Sequence, residues 1–156
     1  MAITAEADMI RAALLLALAL LAAPAAAESV TVLRVIDGDT IVTAEHGTVR
    51  LRGIDAPESC QAWGPQATRA LRAKLAGADV SLHTIGRDRY GRTLAWVRAD
   101  GRDVQALMVA RGHAWAMRSV TLARTEQHAQ SRRLGLHADP NAMRPGEFRK
   151  HHRCPR

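Results

Sequence analysis

Four carboxylates crowd two short stretches of an otherwise basic chain. Asp37 and Asp39 flank a glycine in VIDGDTI, residues 35–41, and Asp55 and Glu58 bracket Ala56-Pro57 in RGIDAPES, residues 52–59. Carboxylates brought together raise one another's pKa or need a cation between them. Oxygen donors alone suit a hard cation, Ca²⁺ or Mg²⁺, and two or three carboxylates with carbonyls and water suit either. No EF-hand loop is present, so the site would be composite. Asp37 taken alone reads as a turn residue, because Asp-Gly is a common turn pair and aspartate bonds its own backbone. Arginines stand close by in sequence: Arg50 precedes Asp55 by five residues, and Arg92 closes GRDRYGR, residues 86–92. A guanidinium forks onto phosphate oxygens and stays charged at any working pH. Each arginine alone reads as a solvated surface group or an ion pair. Together with a carboxylate-bound cation they supply what phosphodiester hydrolysis requires: an activated water, neutralised nonbridging oxygens and stabilised charge on phosphorus.

These residues must be positioned by strands and turns. Ser29–Ile36 is rich in Val, Thr and Ile and reads as a strand; Asp37-Gly38 is a turn; Thr40–Ala44 resumes as strand. Glu45-His46-Gly47 is a second turn, and Thr48–Ile54 a third strand, with Val49, Leu51 and Gly53 on one face and Arg50, Arg52 and Ile54 on the other. Pairing through the EHG turn would bring positions 40 and 54 together, and with them Asp39 and Asp55. Gly64-Pro65 opens a helix with an apolar stripe at Ala67, Ala70, Leu71 and Leu75, and Gly77 ends it. Asp79–Ile85 and Thr93–Arg98 read as strands around the GRDRYGR loop. Asp103 caps a short helix with Val104, Leu107 and Met108 inward and Gly112 at its end. A third helix spans about Leu122–Leu134, and the tail from Ala138 reads as irregular. Five strands with helices interposed imply a small barrel with helical cover; an α+β sandwich fits the pattern nearly as well.

The chain of 156 residues suits one domain. Residues 12–23, AALLLALALLAA, have the length of a signal-peptide core, with Arg11 before them and Ala25-Ala26-Ala27 as a cleavage site. Residues 1–27 are therefore expected to be a removable signal peptide, with no membrane anchor left afterwards. Glu6 and Asp8 do not suit a positive leader, and a start at Met9 reads better. Removing one arginine and two acids takes the net charge of +7 to +8, a surface that attracts polyanions, whether nucleic acid or an acidic wall or membrane. An exported protein meets an oxidising compartment, so Cys60 and Cys154 are either two thiols or a disulfide tying the tail to the body.

VIDGDTI, VRLRGIDAPES and DRYGR in order resemble the thermonuclease (staphylococcal-nuclease-like) family. GPQA, LAWVRADGRDV and LMVARGHAWA match in style, so the likeness runs from about Val30 to Leu136. The resemblance implies a β-rich α+β fold: a five-stranded OB-fold barrel with three helices over residues 28–137, followed by a basic tail, 138–156. It implies an endonuclease that uses Ca²⁺ to cut DNA and RNA to 3′-phosphate and 5′-hydroxyl ends; the apolar leader gives a secreted or periplasmic location, and a monomer is expected. It assigns the metal to Asp39, Asp55 and the backbone carbonyl of Ala56, where the family pattern has Thr. It assigns catalysis to Arg50, Glu58 and Arg92, and a neighbouring phosphate to Arg89 and Tyr90. The segment Ser59–Trp63 is shorter than the pattern, Cys60 is absent from the best-known member, and His137 stands where many relatives carry Trp. Two rivals stand beside this reading. A non-catalytic OB-fold module would bind nucleic acid through stacking aromatics, which make up only 3% of this chain. His151, His152 and Cys154 offer a Zn²⁺ or Cu²⁺ site, or else a basic tail.

Overall fold

The computed structural model describes residues 27–155, so the expected signal peptide lies outside the described residues except for Ala27. No helix among them is long and apolar enough to cross a membrane. The strands are β1 Glu28–Ser29, β2 Val32–Asp37, β3 Thr40–Thr43, β4 Gly47–Leu51, β5 Ile54–Asp55, β6 Val80–Arg87, β7 Thr93–Ala99, β8 Arg102–Asp103 and β9 Trp115–Ala116. The helices are α1 Gly64–Leu75, α2 Val104–Ala110, α3 Val120–Ser131 and α4 Pro145–His151, with a 3₁₀ turn at Gly135–Ala138. The larger sheet runs β1-β6-β7-β4-β3-β2, with β8 on β7, and β5 pairs β9 in a small second sheet. All pairings are antiparallel except β4 with β7. The two ends of the path, β1 and β2, are joined by Val30-Thr31 alone. The sheet thus curls on itself: Val30 N–H donates to the Val80 carbonyl at 2.9 Å, and Ala44 N–H to the Thr31 carbonyl at 3.0 Å.

Alternation drives the inner face. Thr93, Ala95, Val97 and Ala99 of β7 are buried, with Ile41, Val49, Leu51 and Leu82 from the neighbouring strands, as a pleat of period two requires. Ala67, Leu71 and Leu75 of α1 and Val104, Met108 and Val109 of α2 pack into the same core. Each fully buried Leu or Ile contributes about 1.5–3 kcal/mol relative to exposure.

The five expected strands correspond to β2, β3, β4, β6 and β7, and the four others span only two residues each. Four departures from expectation have physical causes. The third strand does not reach Ile54; β4 stops at Leu51, and Arg52-Gly53 turn the chain with Gly53 at φ 81°, a left-handed value that glycine adopts without strain. The turn resets the alternation, so Ile54 is fully buried rather than sharing a face with Arg50. The hairpin register pairs Thr40 with Arg50, not with residue 54. In α2, Gln105 takes the inward place expected of Leu107, because its amide bonds the β7 backbone: it accepts from Val97 N–H at 3.2 Å and donates to the Ala95 carbonyl at 3.1 Å. The tail is not irregular. α4 follows Pro145 at its first turn, and the Cys60–Cys154 disulfide joins it to the body with Cα atoms 5.4 Å apart.

Candidate active site

Asp39 immediately precedes β3, Arg50 lies near the end of β4, and Asp55 ends β5. The Thr40–Arg50 pairing brings the first two together, and pairing with Trp115 of β9 fixes the third. Asp37 shapes the turn between β2 and β3: its Oδ1 accepts from Asp39 N–H at 3.0 Å. The glycine between the two aspartates permits a close approach. A Cβ there would lie 2.6 Å from the Ala56 Cβ and 2.8 Å from the Ala67 Cβ, so the turn lies directly against α1 and the segment after β5.

Asp39 is 5% exposed. Its Oδ1 accepts from the Thr40 hydroxyl at 2.9 Å and its Oδ2 from Ala56 N–H at 2.6 Å. Arg50 bridges the two aspartates, pairing through Nη1 with Asp39 and through Nη2 with Asp55 Oδ1 at 2.9 Å. Burial pushes the Asp39 pKa up to about 8 against the opposing pull of Arg50, and the Asp37 charge adds to the rise. The donors around it are oxygens only. Among the described residues no three His, Cys, Asp or Glu side chains form a metal cluster by themselves. Asp39 and Asp55 offer oxygen donors of the kind a hard cation such as Ca²⁺ takes, and Arg50 now spans the two. The tail histidines do not form a second site, because Cys154 is committed to the disulfide.

Glu58 lies past Pro57 in a tight turn. Its N–H donates to Gln61 Oε1 at 3.1 Å, and its carbonyl accepts from Gln61 N–H at 2.9 Å. Its carboxylate is engaged by Arg149 of α4, Nη1 to Oε1, at 2.5 Å. Arg89, Tyr90 and Arg92 occupy the turn between β6 and β7, next to the strand that runs parallel beside β4. Asp88 organises that turn: Oδ1 accepts from Tyr90 N–H at 2.9 Å and Arg92 N–H at 3.0 Å, and Oδ2 from Arg92 Nε at 2.7 Å. Burial would raise the Asp88 pKa, but these bonds more than offset it and hold it below the usual carboxylate range. Arg89 donates to the Tyr90 hydroxyl at 2.7 Å and lies over its ring, 4.8 Å from the centroid. Tyr90 itself is 68% exposed.

One polar cleft of about 430 Å³ is lined by Asp37, Asp39, Thr40, Arg50, Ala56, Glu58, Arg89, Tyr90, Arg92 and Arg149. Every residue singled out from the sequence lies on it except Asp55, which meets it through Arg50 and Arg149. Sequence reasoning missed three contributors. Asp88 is signalled by its i,i+4 spacing from Arg92, and Gln61 by its place after a proline turn. Arg149 carries no local signal; only Cys154, five residues on, hints that the tail returns.

A curled sheet thus brings carboxylates and guanidiniums together at one cleft. Residues 48–139 match the family model described as staphylococcal nuclease homologue. The chain is 41% identical to Protein ParB of Escherichia coli, over 91% of each chain. It is 38% identical to a micrococcal nuclease of Shigella flexneri, over 76% of this chain and 79% of that one. It is 35% identical to an uncharacterized endonuclease of Haemophilus influenzae, over 76% and 71%. The chain belongs to the staphylococcal nuclease family.

Proposed function

We propose that this protein is a Ca²⁺-dependent endonuclease that hydrolyses phosphodiester bonds of DNA or RNA, leaving 3′-phosphate and 5′-hydroxyl ends. The observation that carries the reading is the single cleft in which Arg50, Glu58 and Arg92 face the buried Asp39. Asp39, Asp55 and the Ala56 carbonyl would hold the cation, which when bound neutralises a nonbridging oxygen and polarises water. Glu58 orients the attacking water and takes its proton. Arg50, freed from the aspartates, and Arg92 fork onto the oxygens as phosphorus becomes five-coordinate, where their charge is worth most. Arg89 and Tyr90 hold a neighbouring phosphate at the exposed lip. The barrel of five main strands would be an OB-fold. A monomer exported after loss of residues 1–27 completes the reading; the apolar leader and the cysteine pairing support export to a secreted or periplasmic location.

The test is cleavage of plasmid DNA and of RNA by the mature protein in Ca²⁺ or in EGTA, with the ends identified by their need for phosphatase before kinase labelling. Cleavage in Ca²⁺ alone, with product 5′ ends that the kinase labels without prior phosphatase treatment, is expected. Glu58→Gln should lower turnover by at least about 10²-fold with the fold intact. Undiminished binding without cleavage would overturn the enzyme and favour the binding module.

A further inference from the structure

Arg149 belongs to none of the motifs that led to the cleft. It is 91 residues from Glu58 in sequence, yet its Nη1 lies 2.5 Å from Glu58 Oε1 and 3.7 Å from Asp55 Oδ1. Both flanks of α4 are fastened. After the helix, Cys154 is bonded to Cys60. Before it, Gln61 Nε2 donates to the Met143 carbonyl at 2.5 Å, and Arg144 pairs with Glu126 at 3.1 Å while lying over the Trp115 ring, 5.9 Å from its centroid. Cys60 and Gln61 belong to the same short turn as Glu58. The tail is thus anchored to the segment that carries the acid, and the helix backbone is fixed while the Arg149 side chain, 52% exposed, can swing.

Charge gives this placement a purpose. Three acids, Asp37, Asp39 and Glu58, line the cleft, and Asp55 meets it through Arg50 and Arg149. Without Arg149 it offers three guanidiniums, Arg50, Arg89 and Arg92, and Asp88 already neutralises the last. Arg149 adds a fourth guanidinium, the one that pairs with Glu58.

We propose that Arg149 is a substrate-binding residue. In the free protein its guanidinium neutralises Glu58. When a strand enters, it exchanges that carboxylate for a nonbridging phosphate oxygen, and Glu58 is released to meet the water. One ion pair replaces another and no covalent bond changes. Guanidinium suits the exchange because it forks onto carboxylate and phosphate alike. The proposal rests on the phosphodiesterase reading above.

The experiment is fluorescence anisotropy of a labelled oligothymidylate with the full-length mature protein in EDTA, so that binding is read without cleavage, across about 50–200 mM salt. Arg149→Gln is expected to weaken binding about five- to tenfold and to reduce the slope of log affinity against log salt by about 0.7, the value for one lost contact to a single strand. Arg149→Lys should keep the slope and recover part of the affinity, because an ammonium retains the charge without the fork. The paired Cys60→Ser/Cys154→Ser variant should behave like Arg149→Gln, with a circular-dichroism melt confirming that it is folded. Steady-state cleavage in Ca²⁺ should show a higher KM for Arg149→Gln with kcat lowered less. Wild-type affinity and slope in Arg149→Gln would overturn the proposal and leave Arg149 as a cover on Glu58. A wild-type protein that neither binds nor cuts would instead bring down the nuclease reading, and this inference with it.

Discussion

Gly38→Ala adds a single methyl group whose destination is fixed: 2.6 Å from the Ala56 Cβ and 2.8 Å from the Ala67 Cβ. Carbon atoms in contact sit about 3.5–4.0 Å apart, so the turn must retreat by roughly 1 Å. Neither neighbour can rotate away, because a Cβ moves only with its backbone. Ala67 is held in α1, and Ala56 is held by its N–H on Asp39 at 2.6 Å. Overpacking of this kind costs about 1–3 kcal/mol, while the added methyl returns about 0.4–1 kcal/mol by restricting the unfolded chain. The net loss of about 1–2 kcal/mol corresponds to a fall of roughly 3–10 °C in melting temperature for a domain of this size. The displacement falls on Asp39, and a 1 Å error in a reacting group lowers turnover by about 10²-fold. Thermal melts and initial cleavage rates read the two effects. Ala56→Gly removes the nearer obstacle, so Gly38→Ala/Ala56→Gly should be more stable than the two single losses predict, with a coupling of about 1 kcal/mol. A Gly38→Ala protein with wild-type melting and turnover, or strict additivity in the double variant, would refute the close-approach argument.

Three further outcomes are expected. Asp88→Asn keeps an oxygen for the Tyr90 and Arg92 N–H groups but turns an NH₂ toward Arg92 Nε. Losing a bond to a charged group is worth about 1.5–3 kcal/mol, less here because Arg92 is 32% exposed, so kcat should fall about tenfold with KM nearly unchanged; an unaltered kcat would show that Arg92 does not depend on Asp88. Removing the disulfide by Cys60→Ser/Cys154→Ser frees a loop with a sequence separation of 94. Urea unfolding should show a loss of about 2–4 kcal/mol and a larger m-value, since the unlinked unfolded chain exposes more surface; an unchanged midpoint and slope would refute this. His137 has its Nε2 buried without a partner among the described residues and stands edge-on to Trp115, 6.3 Å between centroids. Burial holds its pKa below the ordinary range, so the stability it permits is full above about pH 6.5 and is lost as pH falls through and below that value. His137→Phe should therefore flatten the fall in melting temperature between about pH 7 and pH 5, and an identical profile would refute that origin.

The main strands and the first three helices were legible because each obeys one period and carries its own stop. Asp103 caps α2 through Ala106 N–H at 2.8 Å, and Ala67, Leu71 and Leu75 mark the buried stripe of α1. Register was less legible. Ending the third strand at Ile54 rather than Leu51 required treating Gly53 as extended, and nothing local distinguishes that from a left-handed turn. Gln105 was hidden because its burial depends on backbone groups of another strand. The cleft was legible through its motifs, since Asp39, Arg50, Asp55, Glu58 and Arg92 lie within or beside short turns. The return of the tail was not, because a helix of seven residues is set by long-range anchors rather than by its own pattern.

The cross-link also fixes an order of events during synthesis. Proteins fold from the N-terminus as they emerge from the ribosome, and among the described residues Cys154 follows every strand and helix. The strands that shape the cleft can close long before its last guanidinium arrives, and the covalent lock can form only afterwards, where an oxidant is present. Assembly and completion are thus separate in time, and where the chain meets that oxidant decides when the second follows the first.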